Sequence, residues 1–426
     1  MKTYIFKNLN EIYFRFLFLI VSLFFLTKLL IPFEEIIGDK WAYSNLLINY
    51  SSGFVKRGLL GQIFIYLNDN FNTEPKIFFT IIFFTTYSLQ IFFFYKILEK
   101  YQNFKFIITI IVLSPCLILF HIYDLNIILS KDVFINLTIL FHVYMVNKKI
   151  DVKTYRKFLY FIILPLLALN MLNHENQVFF IPFHCLITLY FFSNEENKVY
   201  NLKHLKSYIF LLIPIIILLL TSGTYEQLSI INNSIKEFNT TIPNQFMGNI
   251  NLAIGGFVKW HFFFHDVNNF LRLFFCFTLS LFFIYINFNY LIKNKILKIH
   301  YSLIDSYLII LLPSFVILFL MLDHGRSLQM LSIHLISFYL LLDIKTSTFR
   351  GLLSKINNNY FLQKLIILFI IFYLNFWYLP QGGGFTGIGD FTSIFKGTLV
   401  NELLNIFLIV FNYIDAEVIN LPRITI

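Results

Sequence analysis

The chain alternates long apolar runs with short polar breaks. Each run is about as long as the twenty residues a helix needs to cross the hydrocarbon core of a bilayer. The runs fall at 12–32, 75–98, 104–121, 130–147, 157–173, 177–193, 206–222, 268–292, 303–322, 327–343 and 364–379. A weaker run at 398–414 reads either as a further span or as a helix lying in the interface. Within a run the apolar residues are continuous and do not alternate with polar ones, which excludes the short two-residue periodicity of a membrane β-barrel. No internal repeat or soluble segment interrupts the pattern. It therefore predicts an all-α, polytopic membrane protein of about 11–12 transmembrane helices, with residues 1–426 forming one domain.

Composition strengthens this prediction. Of 426 residues, 58% are hydrophobic and only 13% charged, with 56 Phe and 25 Tyr, more apolar surface than a soluble core could bury. The first run is too long for a cleaved signal and lacks a small-residue cleavage site, so it reads as a retained span. The three cysteines, Cys116, Cys185 and Cys276, lie inside apolar runs without CxxC spacing, so neither a disulfide framework nor a zinc site is indicated.

The formal net charge is +10, but in a membrane protein the placement of Lys and Arg matters more than their sum. Alternate loops carry Lys100 and Lys105; Lys148, Lys149, Lys153, Arg156 and Lys157; Lys198, Lys203 and Lys206; Lys293, Lys295 and Lys298; and Lys345, Arg350, Lys355 and Lys364. This is the positive-inside pattern. It places the N-terminus in the cytoplasm and predicts a multi-pass protein with no nucleic-acid partner.

The chemically distinctive segments then fall on the outer side. They are Gly38–Gly61, within an outer loop at 33–74; Asp124–Asp132; the tight turn Asn173–Asn176 (NHEN); a long loop at 223–267; Asp323–Arg326 (DHGR); and a glycine cluster at Gln381–Asp390. Ionisable groups at the ends of spans are costly if they drift into lipid, and their gathering on one face predicts a shared polar cavity opening outward. Lys56, Arg57 and Gly58 precede an amphipathic run, Leu59 to Leu67. A basic pair at a helix start suits phosphate oxygens, and Arg57 could bind them bidentately; the alternative is simple pairing with lipid headgroups. Glu175, confined in a short turn, is expected to be desolvated, with a raised pKa suited to acid–base work. The alternative is an ion pair with a neighbouring loop, such as that of Arg57 or Arg326. In DHGR, Gly325 is expected to permit a chain reversal with Asp323 and Arg326 close enough to pair. Lys131–Asp132 reads as a surface pair. His261 and His265 read as the polar face of an interfacial helix, and the glycine cluster as a lid without chemistry of its own.

The segment Gly53–Gly61 (GFVKRGLLG), the outer His-Glu turn and the outer D-x-G-R turn together resemble membrane proteins of bacterial surface-polysaccharide clusters, many of them O-antigen or capsule repeat-unit polymerases. In outline these are similar to the GT-C class of polytopic glycosyltransferases. The likeness runs along the whole chain in architecture and over a short stretch in motif. The chain departs from the paired R-x10-G loops of some polymerases, since Asn68 occupies the glycine position counted from Arg57. A strict DxD is also absent from the first outer loop, which offers Glu34, Glu35 and Asp39.

The resemblance implies a glycosyltransferase of the bacterial inner membrane with no cofactor, and the missing DxD favours a metal-independent one. It implies Asp39 and Glu175 as catalytic carboxylates, and Lys56, Arg57, His174, Asp323, His324 and Arg326 as diphosphate and glycan contacts. The implied partners are a polyprenyl-diphosphate-linked oligosaccharide, membrane lipid, a chain-length regulator and a flippase. Two other functions use the same architecture: a GT-C transferase drawing on a polyprenyl-phosphate sugar, and a polysaccharide flippase or transporter. A transporter predicts ionisable residues deep in the spans and broken helices.

Overall fold

The computed structural model describes residues 2–30, 40–102, 105–114, 116–123, 127–196, 202–221, 223–238, 240–242, 278, 314 and 324–341. Among these, every regular element is helical. In chain order they are α1 (Lys2–Leu30), α2 (Lys40–Leu46), α3 (Leu59–Phe71), α4 (Pro75–Leu98), α5 (Lys105–Val112), α6 (Phe120–Tyr123), α7 (Asp132–Asn147), α8 (Val152–Asn173), α9 (Gln177–Glu196), α10 (Leu202–Leu220), α11 (Tyr225–Ser234) and α12 (His324–Leu341). The expected spans at 268–292, 303–322 and 364–379, the run at 398–414, the 259–266 segment and the glycine cluster lie outside the described residues.

Three helical stretches among the described residues are long and apolar enough to cross a membrane: Pro75–Tyr101, Val152–Asn173 and Leu202–Leu220. The outward faces agree with an apolar solvent. On α1, Ile12, Phe16, Leu19 and Leu23 are exposed at helical spacing, and on α10 so are Ile213, Ile216, Leu219 and Leu220. Exposed apolar stripes of that length find no favourable contact in water.

The helices that the apolar runs predict are present at 75–98, 130–147, 157–173, 177–193, 206–222 and 327–343, within a few residues at their ends. The run at 104–121 is corrected. It is a helix from Lys105 to Val112 and a short helix at Phe120–Tyr123, with turns at 116–119 before the second. The break coincides with Ser114-Pro115-Cys116, where proline cannot donate to a continuous ladder. Two other spans depart from regular α geometry. Leu159–Ile163 is a π-turn within α8, and Leu202–Leu211 is wound as a 3-10 helix before α10 relaxes to α at Leu212. Pro165 accounts for the first, because it lacks the N–H that the Phe161 carbonyl would otherwise accept.

The core is built on α7. It packs along α4 on one side and α12 on another, with α8 and α9 closing around it. Phe79, Phe83, Ile135, Ile139, Leu167, Phe183 and Leu331 are completely or almost completely buried there. This arrangement brings together the start of α7, the α8–α9 turn, the first turn of α12 and the loop before α3.

Candidate functional site

At that meeting point a charged cluster is buried. The loop Leu47–Gly58 folds back on itself: Tyr50 N–H donates to Gln62 Oε1 at 2.9 Å, and the Tyr50 ring lies where a β-carbon on Gly58 would stand. The loop delivers Arg57 with a left-handed backbone, φ 66°. That region costs a non-glycine residue on the order of 1–3 kcal/mol and persists only where the surroundings enforce it. Two contacts do so here. The Arg57 guanidinium forms a bidentate pair with Glu175, its Nε lying 3.0 and 2.8 Å from the two carboxylate oxygens and its Nη2 closing on Oε1. The Lys131 ammonium donates to the Arg57 carbonyl at 2.6 Å.

The second half of the cluster centres on Asp132, in the first turn of α7, where a carboxylate is favoured by the helix dipole. Arg326 Nε donates to Asp132 Oδ2 at 2.7 Å, and Ser130 Oγ donates to the same oxygen at 2.7 Å. Arg326 Nη2 also reaches Ser130 Oγ at 3.0 Å and lies 3.4 Å from His174 Nε2. The other carboxylate oxygen, Oδ1, has His174 Nε2 as its nearest partner among the described residues, at 3.3 Å. His174 Nδ1 accepts from the Asn176 N–H at 3.3 Å, which places the single N–H of the neutral ring on Nε2, on the side of Asp132.

All of these groups are withdrawn from the surface. Lys131, Asp132 and His174 are each 1% exposed, Lys56 is 2%, Arg326 4%, Arg57 8% and Glu175 9%. The NHEN turn keeps its predicted form, with α8 ending at Asn173 and α9 starting at Gln177. Burial alone would raise the Glu175 carboxyl, as the sequence leads one to expect. The Arg57 guanidinium overrides it, assisted by His174, and holds the group at about 2. Glu175 is therefore an ionised carboxylate committed to an arginine, and its shift is opposite in direction to the expected one. Burial lowers His174 to about 4, against the pull of Asp132, so its ring is neutral at pH 7. The Lys56 ammonium is lowered by burial and by Arg57, with Glu175 opposing.

Two expectations need correction. Lys131 and Asp132 are not a surface pair; both are buried and each serves a different arginine. Gly325 does not reverse the chain, because His324–Leu341 is helical and places Gly325 in its first turn. Arg326 pairs with Asp132, an acid from another helix; Asp323 lies outside the described residues, as do Asp39 and Asp124. His324 is the first residue of α12. Arg57, Glu175 and Arg326 do come together, in a packed cluster and not around an open pocket.

Among the described residues the cluster sets four basic side chains, Lys56, Arg57, Lys131 and Arg326, against two carboxylates, Asp132 and Glu175, with His174 neutral. Arg57, Arg326 and Lys131 each have partners, whereas the Lys56 ammonium pairs with no acid among the described residues.

No family model, no curated protein and no solved structure matches the chain.

A second polar network lies within the helices, unmarked by the apolar pattern. His142 Nδ1 lies 2.9 Å from His184 Nδ1, and His142 Nε2 lies 2.9 Å from Tyr155 Oη. Tyr155 Oη meets Thr188 Oγ1 at 2.9 Å, Thr188 meets Tyr208 Oη at 2.9 Å, and Tyr208 returns a hydrogen bond to the His184 carbonyl at 2.9 Å. The circuit closes on itself and ties α7, α8, α9 and α10 together. Between the two networks, Asn170 Nδ2 donates to Thr138 Oγ1 at 2.8 Å and Asn136 Nδ2 to Gln329 Oε1 at 3.1 Å. Polar residues spaced singly inside apolar runs carry no sequence signal of their own; only the packing of four helices gives them partners.

Proposed function

We propose that the chain is a multi-pass glycosyltransferase of the bacterial inner membrane, with its N-terminus in the cytoplasm, that polymerises polyprenyl-diphosphate-linked oligosaccharide repeat units at the periplasmic face. The observation that supports this reading is the excess of basic over acidic side chains in the buried cluster among the described residues, with Lys56 paired to no acid there. Uncompensated buried charge is expensive, and an anion in contact with it lowers that cost. A diphosphate held at headgroup level by a polyprenyl tail is an anion of suitable charge and position.

In the proposed reaction the acceptor hydroxyl of one lipid-linked unit attacks the anomeric carbon of another. The bond from that carbon to the diphosphate oxygen breaks, and polyprenyl diphosphate leaves with the bonding pair. Lys56 stabilises the charge that develops on the leaving group, with Arg57 and Arg326 behind it. Asp39 takes the hydroxyl proton. Glu175 is assigned the positioning of Arg57, since its ionised carboxylate is already engaged. His174 is held by Asp132 between the two arginines, and Asp323 and His324 are assigned to the glycan.

A GT-C transferase using a polyprenyl-phosphate sugar would need the same cations. A transporter or flippase draws some support from the buried histidines His142 and His184, but their hydrogen bonds form a closed circuit and not a path between the two ends of the helices. A deletion strain separates these readings on a lipopolysaccharide or capsule gel. Polymerase loss leaves lipid cores with a single repeat unit and removes the ladder. Loss of the single unit as well indicates a flippase or assembly transferase, and an unchanged ladder rejects all three. Lys56→Ala is expected to shorten or abolish the ladder while the protein still inserts.

A further inference from the structure

We infer that the opposite end of α8 carries a binding groove for an anionic diacyl phospholipid of the cytoplasmic leaflet. A cavity of about 910 Å³ opens between α8 and the 3-10 part of α10. That volume is at the upper end of the roughly 300–1,000 Å³ typical of small-molecule sites. Its α8 wall is one continuous helical face at three- and four-residue spacing. Lys153, Arg156 and Lys157 form the first turn of that face, and Tyr160, Phe161, Leu164, Pro165 and Ala168 continue it. Phe210 and Leu211 form the facing wall.

The groove is therefore basic at one end and apolar along its length, the polarity of a phosphate headgroup followed by acyl chain. Among the described residues no acidic side chain lines it. Asp151, next in sequence, is engaged as the N-cap of α8, accepting from Thr154 N–H at 3.0 Å and Thr154 Oγ1 at 2.5 Å. Arg156 is braced with its guanidinium carbon 5.5 Å from the Phe192 ring centre. From Lys157 to Ala168 the helix rises about 16 Å, close to the depth of one leaflet of a core about 30 Å thick. The apolar wall is opened by the π-turn at Leu159–Ile163, which leaves Phe161 78% exposed. The Lys-rich loops are assigned to the cytoplasm, whose leaflet carries the anionic lipid. Because the groove lies a helix length from the Arg57 cluster, the inference stands or falls separately from the polymerase reading.

The test is native mass spectrometry of the full chain released from vesicles of phosphatidylcholine with or without phosphatidylglycerol. The expected result is one retained phosphatidylglycerol per chain, favoured over phosphatidylcholine by about tenfold or more, equal to about 1.4 kcal/mol. Lys153→Ala, Arg156→Ala and Lys157→Ala combined should abolish that preference, while Lys148→Ala with Lys149→Ala should keep it. Equal retention of the two lipids, loss in the Lys148/Lys149 variant, or preference for a polyprenyl phosphate would overturn the inference. If the triple variant does not fold, a photoactivatable phosphatidylglycerol on the unaltered chain decides. Labelling within residues 152–168, competed by phosphatidylglycerol, supports the groove; labelling elsewhere rejects it.

Discussion

Arg57 holds left-handed backbone at φ 66° while its side chain is buried against Glu175 and its carbonyl is held by Lys131. Removing one member of such a pair leaves the other charge buried and unpaired, which typically costs roughly 3–5 kcal/mol. Arg57→Ala and Glu175→Gln are each expected to lower thermal stability in detergent by an amount of that order. Replacing both together, with Met at 57 and Leu at 175, should recover most of the stability, because an apolar pair of similar volume carries no desolvation cost. Ladder length should not recover if Arg57 serves the leaving group. A double variant that restores both stability and polymer would assign the pair to structure alone. Acidification probes the same residues. The folded Glu175 carboxyl sits at about 2 against an ordinary value of 4.5, so its stabilisation is complete above 4.5 and lost as pH falls toward 2. His174 is lowered from 6.5 to about 4, so the folded form resists a proton that the unfolded form accepts. Stability should therefore decline as pH falls from 6.5 to 4, by up to about 3 kcal/mol. In His174→Gln the first decline should vanish and the second remain, as measured by melting temperature against pH.

At the scale of elements, Gly61 fixes how closely α3 lies on the preceding loop. A β-carbon there would collide with the Ile48 carbonyl, a backbone atom that cannot swing aside. Gly61→Ala is expected to displace the loop carrying Arg57 and to destabilise the protein by on the order of 1–3 kcal/mol, the usual cost of overpacking. Gly58→Ala should be milder, since the Tyr50 side chain can move. The apolar runs made helices such as 75–98 and 177–193 legible, because continuous hydrophobicity of that length has few other solutions. The NHEN turn was legible for the same reason: the flanking spans leave it no room to be anything else. The Arg57–Glu175 pair stood among the alternatives for that turn, whereas the pairing at the start of α7 was not legible. Lys131 and Asp132 begin a span just as surface charges do, and only the packing of α7 against α12 and the α8–α9 turn makes them interior. Glu175 shows the converse: its burial was legible, but its ionisation depends on a guanidinium 118 residues away in sequence.

In the molecule as a whole, the two ends of α8 carry different chemistry. α8 runs from Val152 to Asn173, 22 residues, or about 33 Å of rise, enough to span a hydrocarbon core. Lys149 and Lys153 lie at its start and His174 and Glu175 just past its end, so a chain that crosses the membrane here must place them on opposite faces. The direction proposed from the positive-inside distribution has the lysines in the cytoplasm and the Arg57 cluster toward the periplasm. Cysteines placed one at a time in a chain lacking Cys116, Cys185 and Cys276 would test this with a membrane-impermeant maleimide on intact cells. Ser51→Cys, on the exposed part of the loop leading to Arg57, is expected to label without permeabilisation; Lys149→Cys should label only after it. The reverse result would put the cationic cluster in the cytoplasm, where lipid-linked repeat units are assembled and not joined, and would remove the polymerase proposal. Labelling of both in intact cells would mean that α8 does not cross, and the groove at its basic end could then face no cytoplasmic leaflet.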